Sequence, residues 1–424
     1  MRVLIIVIVA LITGCGPKGV SAPQNAVISL DELATHYVVL ELAMGVHDAS
    51  HVDAYSGPEA LRTQAEATGW SLEDIDAQAQ LLQTQVSATS DSRRAVGLQE
   101  RLTALRARVA INQQQYMTFD EESLALFGAV APDYDDAHFA AILAGIDAAL
   151  PGEAPLPERV DAFTSRFEIP ADKLDVVFAA AMAECRKRAL AWIDLPADES
   201  FTIEYVNDKP WSGYNWYQGG AISLIQINTD FPTQISRAVD LGCHEGYPGH
   251  HTYNALLERD LAQARGWVEY SLYPLFSPQS LIAEGSANYG IDLAFPGDER
   301  IAFERDVLFP LAGLDADEAD GYYALTALLA ELSYAGNEAA RDYLNGDKSR
   351  DETVEWLVTF ALNTPERAAQ RVRFFDTYRS YVINYNLGKD LVADYIERDG
   401  ADTAQRWQRF ERILSEPVSA MDIR

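Results

Sequence analysis

The stretch Leu241-Gly242-Cys243-His244-Glu245-Gly246-Tyr247-Pro248-Gly249-His250-His251 begins like the H-E-x-x-H helix of zinc hydrolases and then departs from it. That signature needs a second histidine four residues after the first, on the same helix face. Four residues after His244 stands Pro248. On a regular helix His250 would point about 120° away from His244, and His251 would share its side but lie roughly 10 Å further along the axis. Neither can share an ion with His244 unless the helix is deformed. Pro248 has no N–H and Gly249 accepts unusual dihedrals, so this dipeptide is where two residues can loop out before the helix resumes. His250 then takes the position of the missing histidine. The helix is expected to be distorted between Glu245 and His250, with His251 pointing elsewhere.

Zn²⁺ in a hydrolytic site takes three His or Glu ligands and keeps one position open for water. His244 supplies a ligand and Glu245 an adjacent carboxylate able to accept a proton. The third ligand is sought downstream, in Leu281-Ile282-Ala283-Glu284-Gly285-Ser286-Ala287-Asn288-Tyr289-Gly290. Glu284 stands there among apolar and small residues, where an unpaired carboxylate is costly, and metal ligation accounts for it. Asn288 and Asp292 follow at one and two helical turns on the same face, suited to bonds that orient the histidines. Three of the seven histidines fall within eight positions. His47 and His51 read instead as a helix end among turn-forming neighbours.

Outward from the motif the pattern is mostly helical. Ser29-Leu30-Asp31-Glu32 reads as a capping box followed by Leu33, Tyr37, Leu40 and Met44 at helical spacing. Ser71 to Asp74 repeats such a start; Leu98 to Val109, and Leu174 to Cys185 with its end at Leu195-Pro196, give further amphipathic stripes. Two segments alternate like strands, Phe201–Val206 and Ala221–Asn228, with the aromatic, glycine-rich loop Pro210–Gly220 between them. The expected fold is therefore mainly α, a large helical unit with a small β-sheet beside the metal-binding helix.

The chain has 424 residues, 48% of them hydrophobic, and a formal net charge of −31. Such a charge argues against nucleic acid or an anionic lipid surface as a partner. Met1 to Gly14 has a basic start and an apolar run too short to span a bilayer, which reads as a signal peptide. Leu11-Ile12-Thr13-Gly14-Cys15 resembles a bacterial lipobox, so Cys15 is the expected lipidation site, anchoring the protein to a membrane of the cell envelope, on the outer membrane or periplasmic side. Residues 15–27 read as a tether and 28–424 as one helical catalytic domain. Cys185 and Cys243 remain after processing; Cys243 is read as a small buried residue on the motif helix, and sequence does not show whether the two meet.

At these residues the chain resembles the bacterial domain-of-unknown-function family 885, in which H-E-x-x-P-G-H and a later E-G-x-A accompany a zincin-like metallopeptidase fold. His244 to His250 match the first element and Glu284-Gly285-Ser286-Ala287 the second. The segments around His47 to Pro58 and Tyr378 to Gly388 also look like elements of that family, so the resemblance covers most of the chain. It implies a helical zinc peptidase in which His244, His250 and Glu284 hold Zn²⁺ and Glu245 is the general base.

In the last of those segments, Tyr385, with Tyr381 one turn before it and Arg379 close by, is the candidate for supporting an oxyanion. Arg379 is alternatively a group that binds a substrate carboxylate. The expected activity is cleavage of short peptides. A zinc amidase or esterase acting on cell-wall or small-molecule substrates, and a non-catalytic envelope binding lipoprotein, are the alternatives.

Overall fold

The computed structural model describes residues 28–89 and 92–424. The expected signal peptide, the tether and Cys15 lie outside the described residues. Among those described, no helix is long and apolar enough to cross a membrane.

Among the described residues the protein is mainly helical, with two small sheets. The first helix, α1 (Leu30–His47), starts where Ser29 and Glu32 exchange hydrogen bonds: the Ser29 N–H donates to the carboxylate at 2.8 Å and the Glu32 N–H to the Ser29 hydroxyl at 3.3 Å. Such a cap satisfies two otherwise orphaned N–H groups. A short strand, β1 (Val52–Tyr55), follows. Helices α2 (Leu72–Thr89) and α3 (Arg93–Asn112) then pack with α1 around Tyr37, Leu40, Leu82 and Leu102. Beyond α4 (Phe119–Phe127) comes α5 (Leu174–Ala189). The latter ends six residues before the expected Leu195, because Ile193 and Leu195 turn back into the core.

Three strands follow, β2 (Ser200–Val206), β3 (Gly213–Tyr217) and β4 (Ile222–Asn228), in the order β2-β4-β3. Strand β4 runs parallel to β2 and antiparallel to β3. The segment read as an aromatic loop thus holds the edge strand β3: its side chains alternate and its backbone pairs with β4 from Gly213↔Ile227 to Tyr217↔Ser223. Ser223, Ile225 and Ile227 of β4 face inward.

The sheet leads into α6 (Ser236–Leu241), a π-helical turn at Gly242–Gly246, and α7 (His250–Leu257). Strand β5 (Leu272–Pro274) pairs antiparallel with β1 and hands the chain to the buried helix α8 (Pro278–Ala294). Near the C-terminus lie α9 (Pro365–Tyr378), α10 (Ile383–Glu397) and α11 (Thr403–Ser415). Helices α8 and α10 touch backbone to backbone at Gly285 and Gly388: a Cβ on Gly388 would sit 2.7 Å from the carbonyl oxygen of Leu281, and one on Gly285 would overlap the Gly388 carbonyl. Only residues without a Cβ permit this approach. It carries Tyr381 and Tyr385 up to Glu284.

Candidate metal centre

The motif helix widens to π geometry over Gly242–Gly246, breaks at Tyr247-Pro248-Gly249 through a cis Tyr247–Pro248 bond, and resumes as α7 at His250. Gly249 donates its N–H to the Cys243 carbonyl at 3.0 Å, and a Cβ on it would overlap the His244 carbonyl. The chain therefore folds back on itself in a space that only glycine fits. His250 ends beside His244, their ring centroids 4.6 Å apart and nearly perpendicular. His251 points the other way, its Nε2 3.0 Å from Glu199 and its Nδ1 2.8 Å from Ser223.

Both proposed ligand histidines aim Nε2 at one oxygen of Glu284, Oε2, at 3.1 Å from His244 and 3.7 Å from His250. Glu284 is 6% exposed, its other oxygen accepts a hydrogen bond from the Tyr381 hydroxyl at 2.8 Å, and Oε2 makes none. The ligand atoms of His244, Glu245 and His250 also lie within 4.8 Å of one another. Two carboxylates are thus in reach of the imidazoles. Of the two, Glu284 has the oxygen, Oε2, that faces both Nε2 atoms without a hydrogen-bond partner of its own.

The surroundings fix these groups. Asn288 Oδ1 stands 3.0 Å from His244 Nδ1, and the Asn288 amide donates to the Tyr385 carbonyl at 2.9 Å. That second bond orients the amide, so Nδ1 carries the proton and Nε2 is free to ligate. Asn215 of β3 donates to the Glu245 carbonyl at 2.7 Å, which ties the sheet to the motif turn. Burial raises the Glu245 carboxyl, opposed by the two histidines. Burial also opposes charge on Glu284, yet His250 and His244 hold it well below the usual carboxylate range. His250, resisting burial through Glu284, is pushed up to about 9. Two imidazoles and a carboxylate facing one another are a donor set of the kind that suits a metal.

Three expectations are corrected. Asp292 does not orient a histidine: it is half-exposed and pairs with Lys389 at 2.7 Å. Tyr381 lines the cleft but donates its hydroxyl to Glu284 and is 3% exposed, so that hydroxyl is already engaged and not free for an oxyanion. Arg379 lies outside the cleft: α9 ends at Tyr378, Arg379 takes a positive φ of 54°, and its Nε donates to the buried Glu122 at 2.7 Å. Cys243 is buried, in line with its reading as a small buried residue, and it forms with Cys185 of α5 the disulfide the sequence left open, which staples the motif turn to that helix. Tyr385 also lines the cleft, its ring 6.5 Å from that of His244 and its hydroxyl without a hydrogen bond among the described residues. His47 and His51 make no second centre, since His47 bonds the Trp70 carbonyl at 2.8 Å and His51 pairs with Glu41.

Asp53 was not among the sequence candidates. Strand β1 carries it to the cleft wall, Tyr214 donates to it, and burial pushes its carboxyl up to about 6. No local pattern marks it, because pairing with β5, more than 200 residues away, puts it there. The cleft has a volume of about 810 Å³, and Gly213, Tyr214 and Asn215 of the edge strand line it.

No protein-family profile and no curated protein matches the chain. Among solved structures, it is similar to a protein from Colwellia psychrerythraea proposed to be a lipoprotein, with a TM-score of 0.51 and 14% identity over 93% of this chain and 75% of that one. It also matches a proposed lipoprotein of unknown function from Shewanella oneidensis (TM-score 0.41, 12% identity, 84% and 76% covered). A third match is the M32 carboxypeptidase from Deinococcus radiodurans R1 (TM-score 0.35, 14% identity, 90% and 89% covered). The likeness to the Colwellia protein is one of fold.

Proposed function

We propose that the chain is a zinc-dependent hydrolase, a metallopeptidase acting on short peptides and related to domain-of-unknown-function family 885. The observation that carries this is the convergence of His244 and His250 Nε2 on a buried Glu284 oxygen that lacks a proton donor, with Glu245 alongside. His244, His250 and Glu284 would hold the ion, which when bound supplies charge to polarise a carbonyl and to acidify water. Glu245 accepts the proton of the attacking water and returns it to the leaving amine, a task helped by a carboxyl that burial has raised. The Tyr385 hydroxyl, raised by burial and so protonated at neutral pH, donates to the developing oxyanion. Support for a peptide comes from β3, an edge strand lining the cleft, whose free side can pair with an extended backbone. An envelope location through lipid on Cys15 belongs to the same reading.

The test is metal analysis of the purified mature chain, followed by incubation with a peptide library read by mass spectrometry. Expected are about one zinc per chain and cleavage abolished by a chelator and by Glu245→Gln. Bound metal without cleavage favours a binding protein, and absence of metal refutes the reading.

A further inference from the structure

The cleft that holds the proposed metal set also holds five cations, Arg237, Arg300, Arg367, Arg371 and Lys389. Three are neutralised by neighbours: Arg237 and Arg300 bind Asp240 at 3.3 and 2.8 Å, and Lys389 binds Asp292 at 2.7 Å. Arg367 donates to the Pro232 carbonyl at 3.3 Å and lies over the Phe231 ring. Arg371 differs from all of these. Among the described residues it makes no hydrogen bond and no ion pair; its guanidinium rests on the Phe374 ring, 4.9 Å from the centroid, and on Phe375 at 5.5 Å.

This is not a shortage of partners. The chain has 64 acidic and 33 basic residues, nearly two carboxylates for each cation, yet a half-buried guanidinium in this cleft is left without one. An unpaired, partly desolvated charge costs stability, and a planar fork of donors is shaped to receive a carboxylate in two parallel bonds. Its place connects it to the chemistry. Phe374 contacts Tyr385, ring centroids 6.2 Å apart, and Tyr385 stands 6.5 Å from His244.

We infer that Arg371 is the carboxylate-binding residue of this cleft, and that the substrate is a short peptide presenting its C-terminal carboxylate to it. The protein then acts from the C-terminal end of its substrates, releasing the residues that lie between Arg371 and the scissile bond. This rests on the peptidase reading above and adds the direction of attack. The two aromatic rings seat the guanidinium at 4.9 and 5.5 Å from their centroids, so the cation is positioned before a substrate arrives.

The test uses the full mature chain loaded with zinc and three peptides: Phe-Ala-Ala as the free acid, the same peptide as its C-terminal amide, and Phe-Ala-Glu amide, which has a side-chain carboxylate only. Expected is a kcat/KM at least tenfold higher for the free acid than for either amide, and a ratio near one in Arg371→Ala, with Arg371→Lys between. Binding of the same peptides to Glu245→Gln by calorimetry follows the same order, and this holds even if no bond is cut. Equal handling of acid and amide by the wild type, or an unchanged ratio in Arg371→Ala, overturns the inference. A preference restored by the glutamate side chain overturns the C-terminal assignment. If acid is preferred in binding while neither peptide is hydrolysed, the carboxylate subsite stands and the peptidase reading fails.

Discussion

The side-chain oxygen of Asn288 meets Nδ1 of His244 at 3.0 Å, while the same amide donates to the carbonyl of Tyr385 on another helix. One side chain thus sets the proton of a proposed ligand and ties it to the helix that carries the proposed oxyanion donor. Tyr381 does the equivalent for Glu284. Partners of this kind typically contribute 10- to 100-fold to metal affinity. Asn288→Ala and Tyr381→Phe are therefore expected to weaken zinc binding by about tenfold or more, measured by competition with a chromophoric chelator, with circular dichroism unchanged. Affinities equal to wild type would mean that these bonds do not orient ligands.

The contact between Gly285 and Gly388 predicts a stability effect remote from any polar group. Gly285→Ala forces α8 and α10 apart, and overpacking of this sort costs about 1–3 kcal/mol. The thermal midpoint is expected to fall, and Tyr385 to leave its place near His244, so that any hydrolytic activity falls with it. A midpoint at or above wild type would show that the helices are free to separate.

Arg379 should behave as a structural residue. Glu122, fully buried, accepts from Arg379 Nε, from the Ser380 N–H and from the Ser380 hydroxyl. Removing one partner of a buried pair strands the other, typically at 3–5 kcal/mol. Arg379→Ala is expected to unfold at markedly lower urea concentration, and Arg379→Ala with Glu122→Gln to regain part of the loss. Wild-type stability combined with lost activity would instead return Arg379 to the chemistry.

Acid sensitivity is expected to centre on Glu199. Burial alone would raise this carboxyl, but His251, Tyr247 and Arg186 hold it down at about 2, against an ordinary 4.5. The unfolded chain therefore binds more protons between those two values. The stabilisation is complete above pH about 4.5 and is lost as pH falls toward 2, amounting to roughly 2 kcal/mol at most after discounting for solvent screening. Glu199→Gln should lower stability at pH 7 and flatten the acid limb of the unfolding profile; an unchanged slope would place the acid sensitivity elsewhere.

What the sequence made legible was local. Capping pairs at Ser29–Glu32 and Ser71–Asp74 mark helix starts because the partners are three residues apart, and both form. The Pro248-Gly249 interruption between two histidines, and Glu284 in an apolar run, pointed to one place because each is anomalous unless a metal explains it. Side-chain direction was not legible. Arg379 adjoins Tyr378 and Tyr381 in sequence, but its positive φ turns it to Glu122, whereas Arg371, two turns earlier on α9, reaches the cleft. Strand β3 was obscured by glycines and aromatics that also suit a loop. Asp53 and the Cys185–Cys243 pair depend on contacts between segments distant in the chain, which a one-dimensional pattern does not encode.

The disulfide gives the site a timetable. Cys243 immediately precedes His244, so the covalent tie to Cys185 closes on the very turn that presents the first imidazole. In a reducing compartment the same chain would hold two thiols there, and the turn would lack its staple. The turn that presents His244 would then reach its final stiffness only once the two thiols have been oxidised.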